Sequence, residues 1–149
     1  MKRIYKILKK NKYIKIKLKK IATNHLELKA KINGIKGSFI LDTGASNSCV
    51  GIDMIPYFNL DAKESETKAA GAGAIDMETQ QSENNLLKIG DWKTKKCHLV
   101  LFDLTHVNTA LTQHKAKEVH GIIGADVLRK GKAFIDYNSN TLYLKKTKK

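Results

Sequence analysis

The sequence is poor in the residues that mark disulfide-rich, metal-binding and multidomain proteins. It has one proline and two cysteines, and neither Cys49 nor Cys97 stands in a CxxC pair, so we expect two buried thiols and no disulfide or zinc site. The five histidines form no HExxH motif or other close pair of ligands. The sequence therefore predicts a single domain that binds no metal and needs no cofactor.

Long apolar runs are also missing. No segment approaches the roughly 20 apolar residues that a membrane-spanning helix needs. The apolar residues Ile4, Tyr5, Ile7 and Leu8 near the start are interrupted by Lys6, so they do not form the continuous apolar region of a signal peptide. We therefore expect a cytoplasmic protein.

Acidic residues are scarce relative to basic ones. The chain has 28 Lys and Arg against 14 Asp and Glu, and residues 1–20 contain nine Lys and one Arg with no acid. The last five residues include four Lys. Such ends can attract nucleic acid or anionic lipid, but we favour simple solvation. Aromatic residues are few (7%) and no RNA-recognition or helix-turn-helix motif is present, which argues against a nucleic-acid-binding domain.

Apolar and polar residues alternate over several short segments, which predicts strands. Residues 14–18 and 26–32 show this pattern, and Asn33-Gly34 after the second is typical of a type I′ hairpin turn leading into a strand at 35–41. Further predicted elements are a short helix or turn at 52–60, a hairpin from 86–89 and 97–104 around Gly90-Asp91, partial helix at 105–118, a strand at 121–124, a helix at 125–130 closed by Gly131, and a hairpin from 133–137 and 141–144. This order favours a small, mainly β barrel over a parallel βαβ sheet.

An acidic residue stands at the end of one predicted strand. The apolar run Phe39-Ile40-Leu41 leads directly into Asp42, and a carboxylate there is costly unless hydrogen bonds or a second acid stabilise it. Thr43 offers a hydroxyl, Gly44 permits a tight turn with free amides, and Ala45 is small. These residues alone are equally consistent with a structural turn and with a catalytic carboxylate.

The order of three motifs resembles the retropepsin family of aspartic peptidases. Members of that family have an apolar strand ending in Asp-Thr-Gly, a Gly-rich flap hairpin, and then an apolar strand ending in Gly before a short helix. The corresponding segments here are 39–46, 71–73 and 121–128. The resemblance implies a small closed β-barrel with one short helix near the C-terminus. It covers a peptidase domain at 21–144, between a basic extension (1–20) that includes a strand and a basic tail (145–149).

The resemblance also implies a mechanism. In this family two Asp-Thr-Gly loops meet on a two-fold axis and their carboxylates share one proton. This chain has one such loop, so Asp42 from each of two chains would form the dyad in a homodimer. The ionised carboxylate would activate a water molecule that attacks the carbonyl of a peptide or protein substrate, without a metal or a covalent intermediate.

Supporting roles follow from the same resemblance. Thr43 would brace the partner loop, Gly44 and Ala45 would shape the active-site loop, and the segment Gly71, Ala72 and Gly73 would form the flap. Ile122, Ile123 and Gly124 would support the loop and line the pocket. A surface loop at the flap and a plain core strand at residues 122–124 are the structural alternatives.

The sequence departs from the retroviral members at two places. Those proteins usually have an acid where Ser46 stands and an Arg where Ala125 stands, and the two form an ion pair that supports the dimer. Both are absent here, so the dimer would be held differently. Asp126 is expected to begin or brace the short helix. Alternative functions are an inactive dimerisation or peptide-binding module and a basic protein that binds nucleic acid or anionic surfaces.

Overall fold

The computed structural model describes residues 2–71 and 74–146 of the chain, with side chains at 3–64 and 79–146. This part contains eleven strands, three α-helices and a 3-10 turn at Ile52–Met54. The helices are α1 (Lys2–Lys10), α2 (Thr105–Gln113) and α3 (Ala125–Lys130). The strands are β1 (Tyr13–Lys17), β2 (Lys19–Lys20), β3 (Leu26–Ile32), β4 (Ile35–Leu41), β5 (Cys49–Gly51), β6 (Ala62–Gly71), β7 (Ala74–Ile89), β8 (Trp92–Phe102), β9 (Gly121–Ile123), β10 (Phe134–Asp136) and β11 (Thr141–Lys145).

Six strands close into a barrel in the order β3, β4, β9, β5, β8 and β7, because β7 pairs back with β3. The pairs β4–β9 and β5–β8 are parallel and the other pairs of the ring are antiparallel. Alternate residues of the strands point inward and form a dry core, which includes Phe39, Leu87, Trp92, Leu101 and Ile123. The predicted mainly β barrel with a short helix near the C-terminus is confirmed.

The N-terminal segment is joined to the C-terminal strand. β1 pairs antiparallel with β11, and β10 lies on the other side of β11. Ile16 of β1 packs in the same core cluster as Leu142 and Leu144. The strand predicted at 14–18 is thus present and forms part of the packed domain.

Helix α1 was not predicted, because its apolar residues are separated by lysines. Leu8 is buried and the ring of Tyr5 lies 6.0 Å from that of Tyr143, while Ile4 and Ile7 are exposed. One narrow face of α1 packs against β11. This packing stabilises a helix in a segment whose lysine-rich sequence predicts a solvated end.

Glycine is required for different physical reasons at two predicted positions, the Asn33-Gly34 turn and the end of α3 at Gly131. Asn33 and Gly34 both have positive φ (53° and 83°), as the predicted type I′ turn requires. Gly131 does end α3, but its φ is −84°, so a left-handed conformation is not the reason for glycine. Instead, a Cβ at Gly131 would lie 2.6 Å from the Leu144 side chain, and Lys132 is the residue with positive φ (48°).

Cys49 and Cys97 are buried free thiols, as predicted. Burial raises the pKa of each to about 12. Among the side chains at 3–64 and 79–146, no group of three or more His, Cys, Asp or Glu is placed to hold a metal ion. None of the helices in this part of the chain has the length and apolar character needed to cross a membrane.

Candidate active site

Asp42 lies where β4 ends, beside its parallel neighbour β9. The Asp42 N–H donates a hydrogen bond of 2.9 Å to the Ile123 carbonyl, which extends the β4–β9 ladder by one residue. Its carboxylate oxygen Oδ1 accepts a 2.9 Å hydrogen bond from the Gly44 N–H, and its carbonyl accepts one from the Ala45 N–H. The predicted tight turn therefore exists, and one of its amides faces the carboxylate.

The turn presents its polar groups outward. Asp42 is half-buried, whereas Thr43 and Gly44 are exposed. Among the described residues the Thr43 hydroxyl makes no hydrogen bond. Thr43 therefore forms no local turn bond within the described structure, and its exposed hydroxyl is accessible to a second molecule.

The segment that follows β9 is hydrogen-bonded to this loop and supports it. The Ala125 N–H donates a 2.7 Å hydrogen bond to the Ala45 carbonyl. A Cβ on Gly124 would lie 2.5 Å from the same oxygen, so a larger residue would push the two segments apart. Gly124 is thus required by the close approach of the backbones, and it lies where the resemblance predicted loop support.

A second connection, which the sequence did not predict, joins the same two segments. Ser48 is fully buried, and its hydroxyl accepts the Gly124 N–H at 2.8 Å and donates to Asp126 Oδ1 at 2.7 Å. The same carboxylate oxygen accepts the N–H groups of Ser48 and Val127 at 2.9 Å. Asp126 therefore braces the start of α3, as expected. The Ser48–Asp126 pair links the loop to α3, close to the positions where retroviral members carry an ion pair.

A cavity of about 600 Å³ opens beside Asp42. Its apolar wall includes Ile122 of β9 and Leu111 of α2. Three of the five histidines of the chain also line it; they are His25, His106 and His114. The volume is in the range of pockets that bury small molecules or side chains. The structure thus places Asp42 at the edge of an apolar cavity with imidazoles around it.

Helix α2 supplies four of the ten residues that line this cavity, and sequence reasoning did not include it in the site. Asp103 Oδ1 accepts the Thr105 N–H at 2.8 Å at the start of the helix. Hydrogen bonds to Thr105 lower the pKa of the Asp103 carboxyl. Asn108 exchanges two hydrogen bonds with the backbone of Val119, which fixes the helix against the entry to β9. The spacing of His106, Ala110 and His114, four residues apart, was the available signal, because it places them on one helical face.

The orientations of two histidines are fixed by short-range hydrogen bonds. His114 Nδ1 lies 2.9 Å from the Ala110 carbonyl, which can only accept, so this nitrogen carries a proton. His25 Nδ1 lies 2.7 Å from the Thr23 hydroxyl. In each ring the second nitrogen, Nε2, is left for other partners, including a bound ligand.

The predicted flap falls on a long hairpin. β6 and β7 pair antiparallel with two irregularities in register, and Gly71 at the end of β6 pairs with Ala74. Ala72 and Gly73 lie outside the described residues. Ile122 lines the cavity and the Ile123 carbonyl supports Asp42, so these residues lie where the resemblance predicted them. Their roles in catalysis stay predictions.

Comparison with known proteins agrees with this geometry. A model of the aspartyl protease family matches residues 28–127, which includes the Asp42 loop, the β6–β7 hairpin and β9. The chain therefore belongs to this family. The comparison with curated proteins gives no match.

Solved structures of retropepsin-like proteins share the fold. A retropepsin-like aspartic protease from Rickettsia conorii superimposes with a TM-score of 0.58 at 19% identity, over 89% of both chains. The retroviral protease-like domain of Ddi1 from Leishmania major gives 0.55 at 17% identity, over 80% of this chain and 87% of that one. EIAV protease in complex with the inhibitor HBY-793 gives 0.51 at 19% identity, over 70% and 86%.

Proposed function

We propose that this protein is an aspartic endopeptidase whose active form is a homodimer, in which Asp42 from each chain forms the catalytic dyad. The observation that carries the proposal is the Asp42-Thr43-Gly44 turn. Backbone hydrogen bonds anchor this loop to β9 and to the segment that follows it, and Thr43 and Gly44 are exposed. One carboxylate of the pair acts as base toward a water molecule. The other, protonated, donates a hydrogen bond to the carbonyl oxygen of the scissile peptide.

The local hydrogen bonds support this role for Asp42. One carboxylate oxygen accepts a hydrogen bond from the Gly44 N–H, which fixes the orientation of the carboxylate. The loop is anchored to β9 and α3 through the Ile123 carbonyl, Ala45 and the Ser48–Asp126 pair. An acid–base group must be held within about 0.5 Å of its productive position, and these hydrogen bonds restrain the loop in that way.

The cavity beside Asp42 supports a peptide as substrate. Its apolar wall suits one substrate side chain adjacent to the scissile bond, while the exposed turn is left to the peptide backbone and the partner loop. We further propose that the β6–β7 hairpin covers the bound peptide and excludes water from it. We further propose that the enzyme acts in the cytoplasm.

Asp42→Asn tests the proposal directly. The substitution keeps the shape and removes the acid–base group, so we expect peptide hydrolysis to fall by at least about 10³-fold while fold and dimer are retained. The matched control is Asp61→Asn, an exposed acid outside the site. Cleavage of a peptide library is followed by mass spectrometry, with circular dichroism and sedimentation as checks of structure.

Two results would count against the proposal. Hydrolysis by purified Asp42→Asn at the rate of the unmodified protein would exclude Asp42 as the catalytic residue. A folded, dimeric protein that binds peptides but releases no fragments from the whole library would show a peptide-binding module without activity.

A further inference from the structure

Four lysines lie side by side across four neighbouring strands of the barrel. In the strand register Lys36 of β4 is opposite Lys31 of β3, Lys31 is also opposite Lys88 of β7, and Lys88 is opposite Lys93 of β8. Residues paired in this way point to the same side of a sheet. With about 4.8 Å between strands, this lysine row extends about 14 Å across the outer surface.

The lysine row is electrostatically unfavourable in the free protein. Like charges directly opposite each other on adjacent strands destabilise a sheet, and here Lys31 faces a lysine on both sides. All four side chains are exposed. Among the described side chains the single ion pair within 4 Å joins Lys29 to Glu27, so none of the four lysines of the row forms a salt bridge with a described acid.

A cavity of about 740 Å³ adjoins the lysine row. Lys31, Lys36 and Lys88 line it, together with Lys29, Ser38 and His120, and Asp91 is its one acidic residue. The cavity thus combines several ammonium groups with smaller hydrogen-bonding side chains. It is suited to an anion that carries several charges.

An imidazole and an aromatic ring complete this surface. His120 Nδ1 accepts the Ser38 N–H at 3.0 Å, so Nε2 carries the proton of the neutral ring and is a donor. Burial and the Lys29 ammonium lower the pKa of His120. Tyr57 stacks on this imidazole with the ring centroids 5.3 Å apart and is 45% exposed.

We propose that the lysine row and its adjoining cavity bind the phosphate groups of a nucleic-acid strand. The ammonium of lysine is a compact charge with three donors that binds phosphate oxygens as a point charge. Tyr57 offers a partly exposed ring on which a base can stack. Leu86 is the one exposed large aliphatic residue of the described part that lies on a strand of the row, so the surface has little with which to enter a membrane.

The first test compares two quadruple variants that lose the same charge. K31Q/K36Q/K88Q/K93Q removes the lysine row, and K6Q/K9Q/K10Q/K17Q removes four other exposed lysines. Binding of a fluorescent 20-nucleotide single-stranded DNA is measured by polarisation at several salt concentrations. We expect the first variant to lose at least about tenfold in affinity and to reduce the salt slope by up to about 2.8, while the second stays within about twofold.

Equal losses in both variants would overturn the proposal, because diffuse net charge would then explain binding. Absence of binding by the unmodified protein at 50 mM salt would overturn it as well. If the quadruple variant does not fold, Lys31→Gln is compared with Lys17→Gln, and a loss of at least about threefold is expected only in the first. If it folds, its melting temperature should be higher than that of the unmodified protein, since the repulsion within the row is relieved.

Competitors distinguish the sources of negative charge. Inorganic polyphosphate is expected to displace the DNA, whereas poly-glutamate of equal charge is expected to be a weaker competitor. Equal or stronger competition by poly-glutamate would point to an acidic protein partner and contradict the proposal, as would tighter binding to phosphatidylserine vesicles. Cleavage of a small neutral peptide is unaffected by this surface, so the outcome is independent of the proposed peptidase activity.

Discussion

At the scale of single residues, the hydroxyl of Ser48 has the largest consequence for the Asp42 loop. It is the only group in the described structure that bonds both to the Gly124 N–H and to the Asp126 carboxylate. Because it is fully buried, water cannot replace it easily when it is removed.

Ser48→Ala is therefore expected to lower the free energy of unfolding by about 1–3 kcal/mol, since the Gly124 N–H would be left buried without a partner. It should also lower kcat more than it raises KM, because the loop loses its anchor while the cavity is unchanged. Denaturant unfolding and peptide kinetics measure the two effects. Ser46→Ala, an exposed serine of the same loop, is the control, and equal effects of both substitutions would refute the assignment.

The buried thiols give a second prediction at this scale. Burial raises the pKa of Cys49 and Cys97 from 9.0 to about 12, so the reactive thiolate fraction at pH 8 falls about a thousandfold. Iodoacetamide should label neither cysteine in the native protein and both in denaturant, as judged by mass spectrometry. The raised values favour the neutral thiols in the fold, so their contribution to stability is present below pH 9 and is lost as the pH rises toward 12. Rapid labelling of the native protein would contradict this.

At the scale of elements, the short strand β9 connects the Asp42 loop to the barrel. It pairs in parallel with β4 and antiparallel with β5, and both neighbours lie very close. A Cβ on Gly121 would be 2.2 Å from the Cys49 carbonyl oxygen and 3.1 Å from the Phe39 ring. Glycine is required here by space, because the backbone of β5 cannot move without opening the barrel.

Gly121→Ala is expected to destabilise the fold by about 3 kcal/mol or more, as severe overpacking against a backbone oxygen does. Gly34→Ala is the comparison: a Cβ there would meet nothing within 4 Å, but the φ of Gly34 is 83°, so only a strain of about 1–2 kcal/mol is expected. Thermal unfolding of both variants measures the difference. A milder effect at Gly121 than at Gly34 would show that β9 can shift away from β5.

At the scale of the whole molecule, the proposed dyad requires an active site shared by two chains. If each dyad needs two chains, mixing equal amounts of unmodified protein and Asp42→Asn leaves roughly a quarter of the dimers with two intact loops. Activity per unmodified chain should then fall to roughly half after the subunits exchange. Specific activity should also decrease on dilution, in step with dissociation measured by sedimentation. Activity per unmodified chain that is independent of mixing and of dilution would instead indicate a catalytic monomer.

The sequence by itself determined the positions of several strands along the chain and the catalytic candidate. Local patterns are sufficient for this, because alternation over residues 26–41 and the Asn33-Gly34 turn depend only on near neighbours. The same holds for Asp42 at a strand end and for the strand and helix from 121 to 130. Gly131 is an exception. The reason for glycine at this position is the close approach of the distant Leu144, which local sequence does not reveal.

Only the tertiary structure decided which distant residues meet. The Ser48–Asp126 hydrogen bonds, the cavity shared by Asp42 and α2, and the packing of α1 on β11 all join segments far apart in sequence. The lysine row is the clearest case: four lysines that look ordinary one by one become a single array through the register of four strands. Register depends on how the whole barrel closes, and closure is a property of the six strands together, which no local pattern contains.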